Sequence, residues 1–245
     1  MIKRIAPDVE VIDITHGIPP QHVLQGALVL AGTLPYMPIG IHVAIVDPGV
    51  GSERKPIALR GGDGRVYVGP DNGLLLVAAD ASGQVEHAVE LANEKFMLTP
   101  VSHTFHGRDI FSPVAAHLAM GVELEELGPA VEPDALVRLE LPKPKVGQAR
   151  IRATALYVDR FGNIQLNLTS SDLERIGITP GTKVEVEIRF ERYFAVAART
   201  FADVRPGDIV LYEDAYRNIA LAINSGDAAR MFSARVGQEV LLSPA

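Results

Sequence analysis

Two stretches of this chain hold the residues best suited to chemistry. In the first, Ile41-His42-Val43-Ala44-Ile45-Val46 runs into Asp47-Pro48-Gly49-Val50-Gly51-Ser52-Glu53-Arg54. An apolar strand that stops at Asp-Pro-Gly presents its carboxylate at the strand's carboxyl end, where open α/β sheets gather ligands. The intervening glycines let the loop turn sharply enough for the Asp47 carboxylate and the Arg54 guanidinium to meet. The second stretch, Ser102-His103-Thr104-Phe105-His106-Gly107-Arg108-Asp109-Ile110-Phe111, sets imidazole, guanidinium and carboxylate within four residues, ahead of an Ala-rich apolar run. Together they supply an acid, a base and cations on two separated loops. Each also has a plainer reading. Asp47 can cap an ordinary turn, Asp109 can cap the helix that follows it, and His42, His87 and His117 read as structural histidines. His103, His106 and Asp109 form the competing metal-dependent hydrolase reading, but their spacing follows no standard zinc pattern and no metal is expected.

Two further segments carry polar groups at turns. Asp71-Asn72-Gly73 reads as a tight turn. Asp159-Arg160-Phe161-Gly162-Asn163 lies between two strand-like runs and offers a carboxylate, a ring and an amide, a set that could receive an ammonium group and a purine edge. The alternative is a hairpin turn with Gly162 at the position needing positive φ. There is no Gly-rich phosphate loop, nucleophilic serine elbow or dinucleotide fingerprint.

The elements that must position these groups divide the chain in two. From Val9 to about Gly121 strands and helices alternate: a strand over Val9–Ile14, a helix over about Gln21–Leu34, and a strand over Ile41–Val46 with the two apolar faces of a central parallel strand. A hairpin pairs Lys55–Leu59 with Arg65–Val68 around Gly61-Gly62-Asp63-Gly64, and a helix runs over Ile110–Met120 with Pro113 near its start. This alternation argues an α/β domain over residues 1–141. Pro142-Lys143-Pro144-Lys145 is a stiff linker. Beyond it, residues 146–245 hold short strands at Ile151–Val158, Val184–Ile188, Phe194–Ala198, Ile209–Tyr212, Ile219–Ile223 and Val240–Leu242, the pattern of a small β-barrel.

Composition sets outer bounds. With 245 residues and 47% hydrophobic content a sizeable core is available. A net charge of -7 argues against a nucleic-acid surface, and the absence of cysteine excludes disulfides and thiolate chemistry. No apolar stretch reaches membrane-spanning length and no signal peptide is visible, so a cytoplasmic protein without membrane or nucleic-acid partners is expected.

Taken in order, Asp13-Ile14-Thr15-His16-Gly17-Ile18-Pro19-Pro20, Val46-Asp47-Pro48-Gly49-Val50-Gly51-Ser52, Val68-Gly69-Pro70-Asp71-Asn72-Gly73, Thr104-Phe105-His106-Gly107-Arg108-Asp109 and Asp159-Arg160-Phe161-Gly162-Asn163 resemble the S-adenosyl-L-methionine hydroxide adenosyltransferase family, relatives of the fluorinase and chlorinase enzymes. The resemblance spans nearly the whole chain. It implies an amino-terminal α/β domain, a carboxyl-terminal β-barrel and a homotrimer with active sites between subunits. It also implies hydrolysis of S-adenosylmethionine to adenosine and L-methionine without a cofactor; the alternative beside the metal-dependent hydrolase is a protein that binds S-adenosylmethionine or adenosine without turning it over. The family's Asp-Arg-His triad falls on Asp47, Arg54 and His106. Where this chain has His106-Gly107, the halogenating relatives carry Tyr-Ser or Tyr-Gly, which favours hydroxide over halide here. Asp159 and Asn163 match the family's substrate-binding residues, Ser225 resembles the serine that holds the methionine carboxylate, and Asn72, Phe161 and Tyr212 complete the substrate-binding candidates. The family's usual first strand, with its ribose-gripping aspartate, has no counterpart in the residues read here, and Asp8 and Asp13 do not replace it.

Overall fold

Short apolar runs become strands of two separate sheets. In the computed structural model, which describes residues 1–245, one sheet lies in each of two units, Met1–Glu140 and Leu141–Ala245.

The first unit contains α1 (Ile2–Ile5), α2 (Val23–Thr33), β1 (Ile41–Val43), β2 (Pro56–Gly61), β3 (Val66–Pro70), α3 (Leu74–Ala81), β4 (Val85–Glu90) and α4 (Ser112–Ala119). Its sheet runs β1-β3-β2-β4, with β1 parallel to β3 and the other neighbours antiparallel. Period-two alternation divides the strands' side chains between two cores. Ile57, Leu59 and Tyr67 pack with Ala27 and Leu30 of α2 and Leu74, Leu75 and Leu76 of α3. Ala58, Val68 and Val89 face the other way, onto Ile110, Phe111 and Val114. The sheet is therefore a middle layer with helices on both faces.

Three expectations are corrected. Val9–Ile14 forms no strand: it joins no ladder, and Val11, Ile12 and Ile14 are exposed. It borders a cleft of about 1160 Å³ that β1, Asp47 and Pro48 also line. The strand at Ile41–Val46 is not central. β1 pairs on one side only, with β3, and one further bond, from the Ala44 N–H to the Val68 carbonyl, continues the pairing. Ala44 and Val46 pack toward the α2/α3 core and Ile41 toward the α4 core, while Val43 and Ile45 are exposed. Finally, the helix expected from Ile110 starts earlier and differently, as a π-helical turn over Gly107–Phe111 that leads into α4.

The second unit contains β5 (Lys145–Val146), β6 (Ile151–Val158), β7 (Ile164–Leu166), α5 (Ser170–Glu174), β8 (Lys183–Ile188), β9 (Glu191–Ala197), β10 (Ile209–Glu213), β11 (Ile219–Ile223), α6 (Ala228–Met231) and β12 (Glu239–Pro244). The order β12-β8-β9-β10-β11-β7-β6-β5 closes on itself where β12 pairs with β6, so seven strands make a barrel and β5 lies outside the ring. The barrel interior is filled by alternate residues such as Ile151, Ala153, Ile164, Leu166, Val184, Val186, Leu211 and Leu221, closed off by Leu173, Ile176 and Phe232. Burying each Leu or Ile contributes about 1.5–3 kcal/mol. Lys145, the last residue of the expected linker, is the first residue of β5.

Candidate active site

Asp47, Arg54 and His106 meet in the first unit. Arg54 Nε donates to Asp47 Oδ1 at 2.9 Å and to Oδ2 at 3.0 Å. Its Nη2 donates to Asp47 Oδ2 and, at 2.8 Å, to His106 Nδ1. The ion pair is shielded, with only 9% of the Arg54 side chain and 7% of the Asp47 side chain exposed. The guanidinium also lies over the Phe111 ring, 5.4 Å from its centroid. Arg54 Nη1 is buried and makes no hydrogen bond within the protein.

This geometry fixes the protonation of the histidine. A guanidinium only donates, so Nδ1 of His106 must be the acceptor and a neutral ring carries its proton on Nε2. Burial pushes the His106 pKa below its ordinary value, and the Arg54 charge lowers it further, against partial opposition from Asp47 and Asp109. At neutral pH His106 is uncharged and holds Arg54 in place.

Backbone devices bring the two loops together. Gly51 has φ near +77°, and a Cβ there would lie 2.7 Å from the His103 carbonyl oxygen. Only glycine allows this approach, and the approach sets the Asp47–Arg54 loop against the His103 segment. Ser52 closes the loop, its Oγ donating to the Gly49 carbonyl at 2.7 Å. On the other side, the π-helical turn follows directly after His106. Ser112 Oγ donates to the Gly107 carbonyl at 2.7 Å. Pro113 has no N–H to offer the Asp109 carbonyl, and that oxygen instead accepts from the Leu98 N–H at 2.8 Å.

Asp109 is fully buried, and Arg108 and the Ser102 N–H occupy both its oxygens. The Arg108 hydrogen bonds hold its pKa below the ordinary carboxylate value against the opposing effect of burial. It clamps the 102–109 segment and does not cap the helix. His103, His106 and Asp109 do not converge as a three-ligand metal group.

Asn72 has both ends of its amide engaged within the protein. Nδ2 donates to the Val46 carbonyl at 2.8 Å and Oδ1 accepts from the Leu74 N–H at 3.2 Å. It anchors the residue immediately before Asp47.

The remaining candidates lie in the second unit. Asp159 accepts from the N–H groups of Phe161 and Asn163 through Oδ1 and from Asn163 Nδ2 through Oδ2, so these residues share one turn, with Gly162 at φ near +83°. A Cβ on Gly162 would lie 2.1 Å from Asp227 Oδ1. Phe161 is exposed beneath the Arg160 guanidinium. Tyr212 packs against Phe201 with centroids 4.8 Å apart and the rings tilted by 55°, and burial with the charges of Asp159 and Asp214 pushes its pKa up to about 12. Ser225 is exposed on the loop after β11, where its Oγ bonds Asn224 Oδ1 at 3.2 Å. Sequence reasoning passes over Gln165 and Asp214. Gln165 interrupts the apolar run Ile164-Gln165-Leu166 yet is only 3% exposed, and that interruption is the signal available in the sequence.

Comparison with known proteins matches both units. The model of the SAM hydroxide adenosyltransferase N-terminal domain matches residues 1–128, and that of the corresponding C-terminal domain matches residues 153–241. A protein from Salinispora tropica named (R)-S-adenosyl-L-methionine hydrolase is 47% identical over 240 residues, 98% of this chain and 88% of the relative. A protein from Actinoplanes sp. named fluorinase is 29% identical over 272 residues, 100% of this chain and 91% of the relative. The crystal structure of an uncharacterized conserved protein from Thermotoga maritima matches with a TM-score of 0.90 and 34% identity, covering 99% of this chain and 92% of that one.

Proposed function

We propose, from the premise that this chain belongs to the SAM hydroxide adenosyltransferase family, that it hydrolyses S-adenosyl-L-methionine to adenosine and L-methionine. The observation that carries the reading is the buried Arg54 Nη1, a cationic donor with no protein partner, beside a shielded carboxylate and a neutral imidazole. Water bound there attacks the ribose 5′-carbon as the C5′–S bond breaks. The bonding pair stays on sulfur, giving the thioether of methionine. A sulfonium leaves without protonation, so the site has two tasks: aligning the water behind C5′ and stabilising its developing hydroxide character.

The residues divide these tasks. Arg54, whose guanidinium only donates, holds the oxygen through Nη1. Asp47 orients the guanidinium, and its lone-pair capacity not taken by Arg54 receives the water's proton. His106, with Nδ1 committed to Arg54, acts by positioning and has only its Nε2 proton to donate. Fixed donors of this kind are worth roughly 10²–10³ in rate. Asp159, Phe161, Asn163, Tyr212 and Ser225 are the substrate-binding residues of this reading, with Asn72 acting through Val46. It includes a homotrimer with sites between subunits, domains at 1–141 and 146–245, a cytoplasmic location, and no cofactor, nucleic-acid or membrane partner. No helix is long and apolar enough to cross a membrane.

The test is chromatography of S-adenosylmethionine incubated with the chelator-treated protein. Adenosine and methionine in equal amounts are expected. No adenosine above the protein-free blank overturns the hydrolase, and a 5′-halo-adenosine in added chloride overturns the choice of nucleophile.

A further inference from the structure

Residues on the outer face of the barrel form one cross-strand row. Tyr157 on β6 is in register with Gln165 on β7, Gln165 with Ala220 on β11, and Ala220 with Tyr212 on β10. The interior neighbours Ile164, Leu166, Leu211 and Leu221 fix this face as outward by alternation. Gln165 is 3% exposed, and neither its Oε1 nor its Nε2 has a hydrogen-bond partner. Buried amides are normally satisfied, so two orphaned groups on one side chain call for an explanation.

The surroundings are acidic and phenolic. The charges of Asp159 and Asp214 both act on the phenols of Tyr157 and Tyr212, and neither phenol makes a hydrogen bond within the protein. Asp214 is tied through Oδ1 to the N–H groups of Tyr216 and Asn218, which leaves Oδ2 without a protein donor. The nearest cations in sequence are already engaged, Arg160 with the Phe161 ring and Arg217 with Glu213. A cationic group is welcome on this face, and an amide that both donates and accepts lies at its centre. An α-amino-acid end offers the complementary pair, an ammonium donor and a carboxylate acceptor one carbon apart.

We propose that Gln165 reads the amino-acid end of the substrate, Oε1 accepting from the ammonium and Nε2 donating to the carboxylate, on a face framed by Asp159, Tyr212 and Asp214. This rests on the S-adenosylmethionine reading above and adds the residue that selects the substrate's tail. Asp214 supplies the counter-charge for the ammonium.

The test measures binding by calorimetry, without relying on turnover, for the full chain and two variants. The ligands are S-adenosylmethionine, its analogue with an aminopropyl arm lacking the carboxylate, and adenosine. Gln165→Leu should weaken S-adenosylmethionine roughly 10-fold or more while adenosine binding changes less than about 2-fold. Its thermal midpoint should hold or rise, because leucine removes an amide that has no partner. Gln165→Glu should keep the ammonium acceptor, repel the carboxylate, and shift preference toward the aminopropyl analogue. Unchanged selectivity in both variants, or a lowered midpoint with unchanged selectivity, marks a structural amide and overturns the proposal. Wild-type binding without turnover overturns the hydrolase reading alone, and failure of the wild type to bind S-adenosylmethionine overturns both.

Discussion

Gly51 passes so close to the His103 carbonyl that a methyl group at its Cα would sit 2.7 Å from that oxygen. The approach joins the loop bearing Asp47 and Arg54 to the segment bearing His106. Gly51→Ala adds a backbone clash to a left-handed conformation that L-residues adopt at a cost of about 1–2 kcal/mol. We expect a loss of roughly 1–3 kcal/mol in urea unfolding. Adenosine release should fall at least about 10-fold, the consequence of misplacing reacting groups. Wild-type turnover in a folded Gly51→Ala protein would show that the two loops need no such contact.

Asp47 and His106 should separate stability from catalysis. Asp47→Ala leaves a guanidinium that is 9% exposed without its carboxylate, a change worth about 3–5 kcal/mol when a buried pair is broken. His106→Ala removes a neutral acceptor and should cost about 0.5–1.5 kcal/mol. Both should lower kcat by roughly 10² or more. Equal stability losses in denaturant titrations would mean that the ion pair is not shielded as described.

Acid should switch the site off. Protonation of His106 at Nδ1 breaks its acceptance from Arg54 and places two cations together. Burial and Arg54 lower the His106 pKa, so kcat should be flat through neutrality and fall at some pH below the ordinary histidine value of about 6.5. The sign for stability follows. The unfolded chain takes up this proton first, so the His106 contribution is complete above pH ~6.5 and is lost progressively as pH falls below it. A pH–rate profile on wild type and His106→Asn checks this, and an unchanged acid limb in the variant would assign the titration to another group.

Asn72 should behave as a positioning residue. Its amide bonds the Val46 carbonyl and the Leu74 N–H, so Asn72→Ala should lower stability by about 1–3 kcal/mol. It should reduce kcat with KM unchanged, since no contact to substrate is lost. A rise in KM with kcat preserved would return Asn72 to the substrate-binding set.

Local chemistry made the Asp47–Arg54 pair legible, and long-range pairing hid the rest. Asp47 and Arg54 sit on one short loop, so spacing and residue type sufficed to propose that they meet, whereas His106, on a distant turn, was joined to them only through the family resemblance. The barrel strands were read from their alternation and turn punctuation, within a few residues at most ends. Val9–Ile14 misled because apolar alternation indicates a capacity to pair while a strand needs a partner, and none bonds to it. Ile41–Val46 misled for the related reason that an apolar run does not require two paired edges: β1 lies at the sheet edge, and Val43 and Ile45 stay exposed. The π-helical turn is invisible to a 3.6-residue periodicity, although Pro113 marks where a backbone donor is missing. Gln165 required register, because only the pairing β6–β7–β11–β10 places it in a row with Tyr157 and Tyr212.

The barrel's odd strand number has its own consequence. In a ring whose neighbours all run in opposite directions the directions must alternate around the circle, which is possible only for an even count. Seven strands therefore force one mismatch, and it falls between β9 and β10, which run side by side in the same direction. Same-direction neighbours cannot be joined by a tight hairpin, so residues 198–208 must travel back along the outside of the wall to reach the start of β10. That return path carries Phe201 onto Tyr212, and Asn224 Nδ2 pins it by donating to the Phe201 and Val204 carbonyls. Arithmetic parity in the wall thus lays an aromatic brace against the candidate substrate face, and an eighth strand in the ring would remove the need for it.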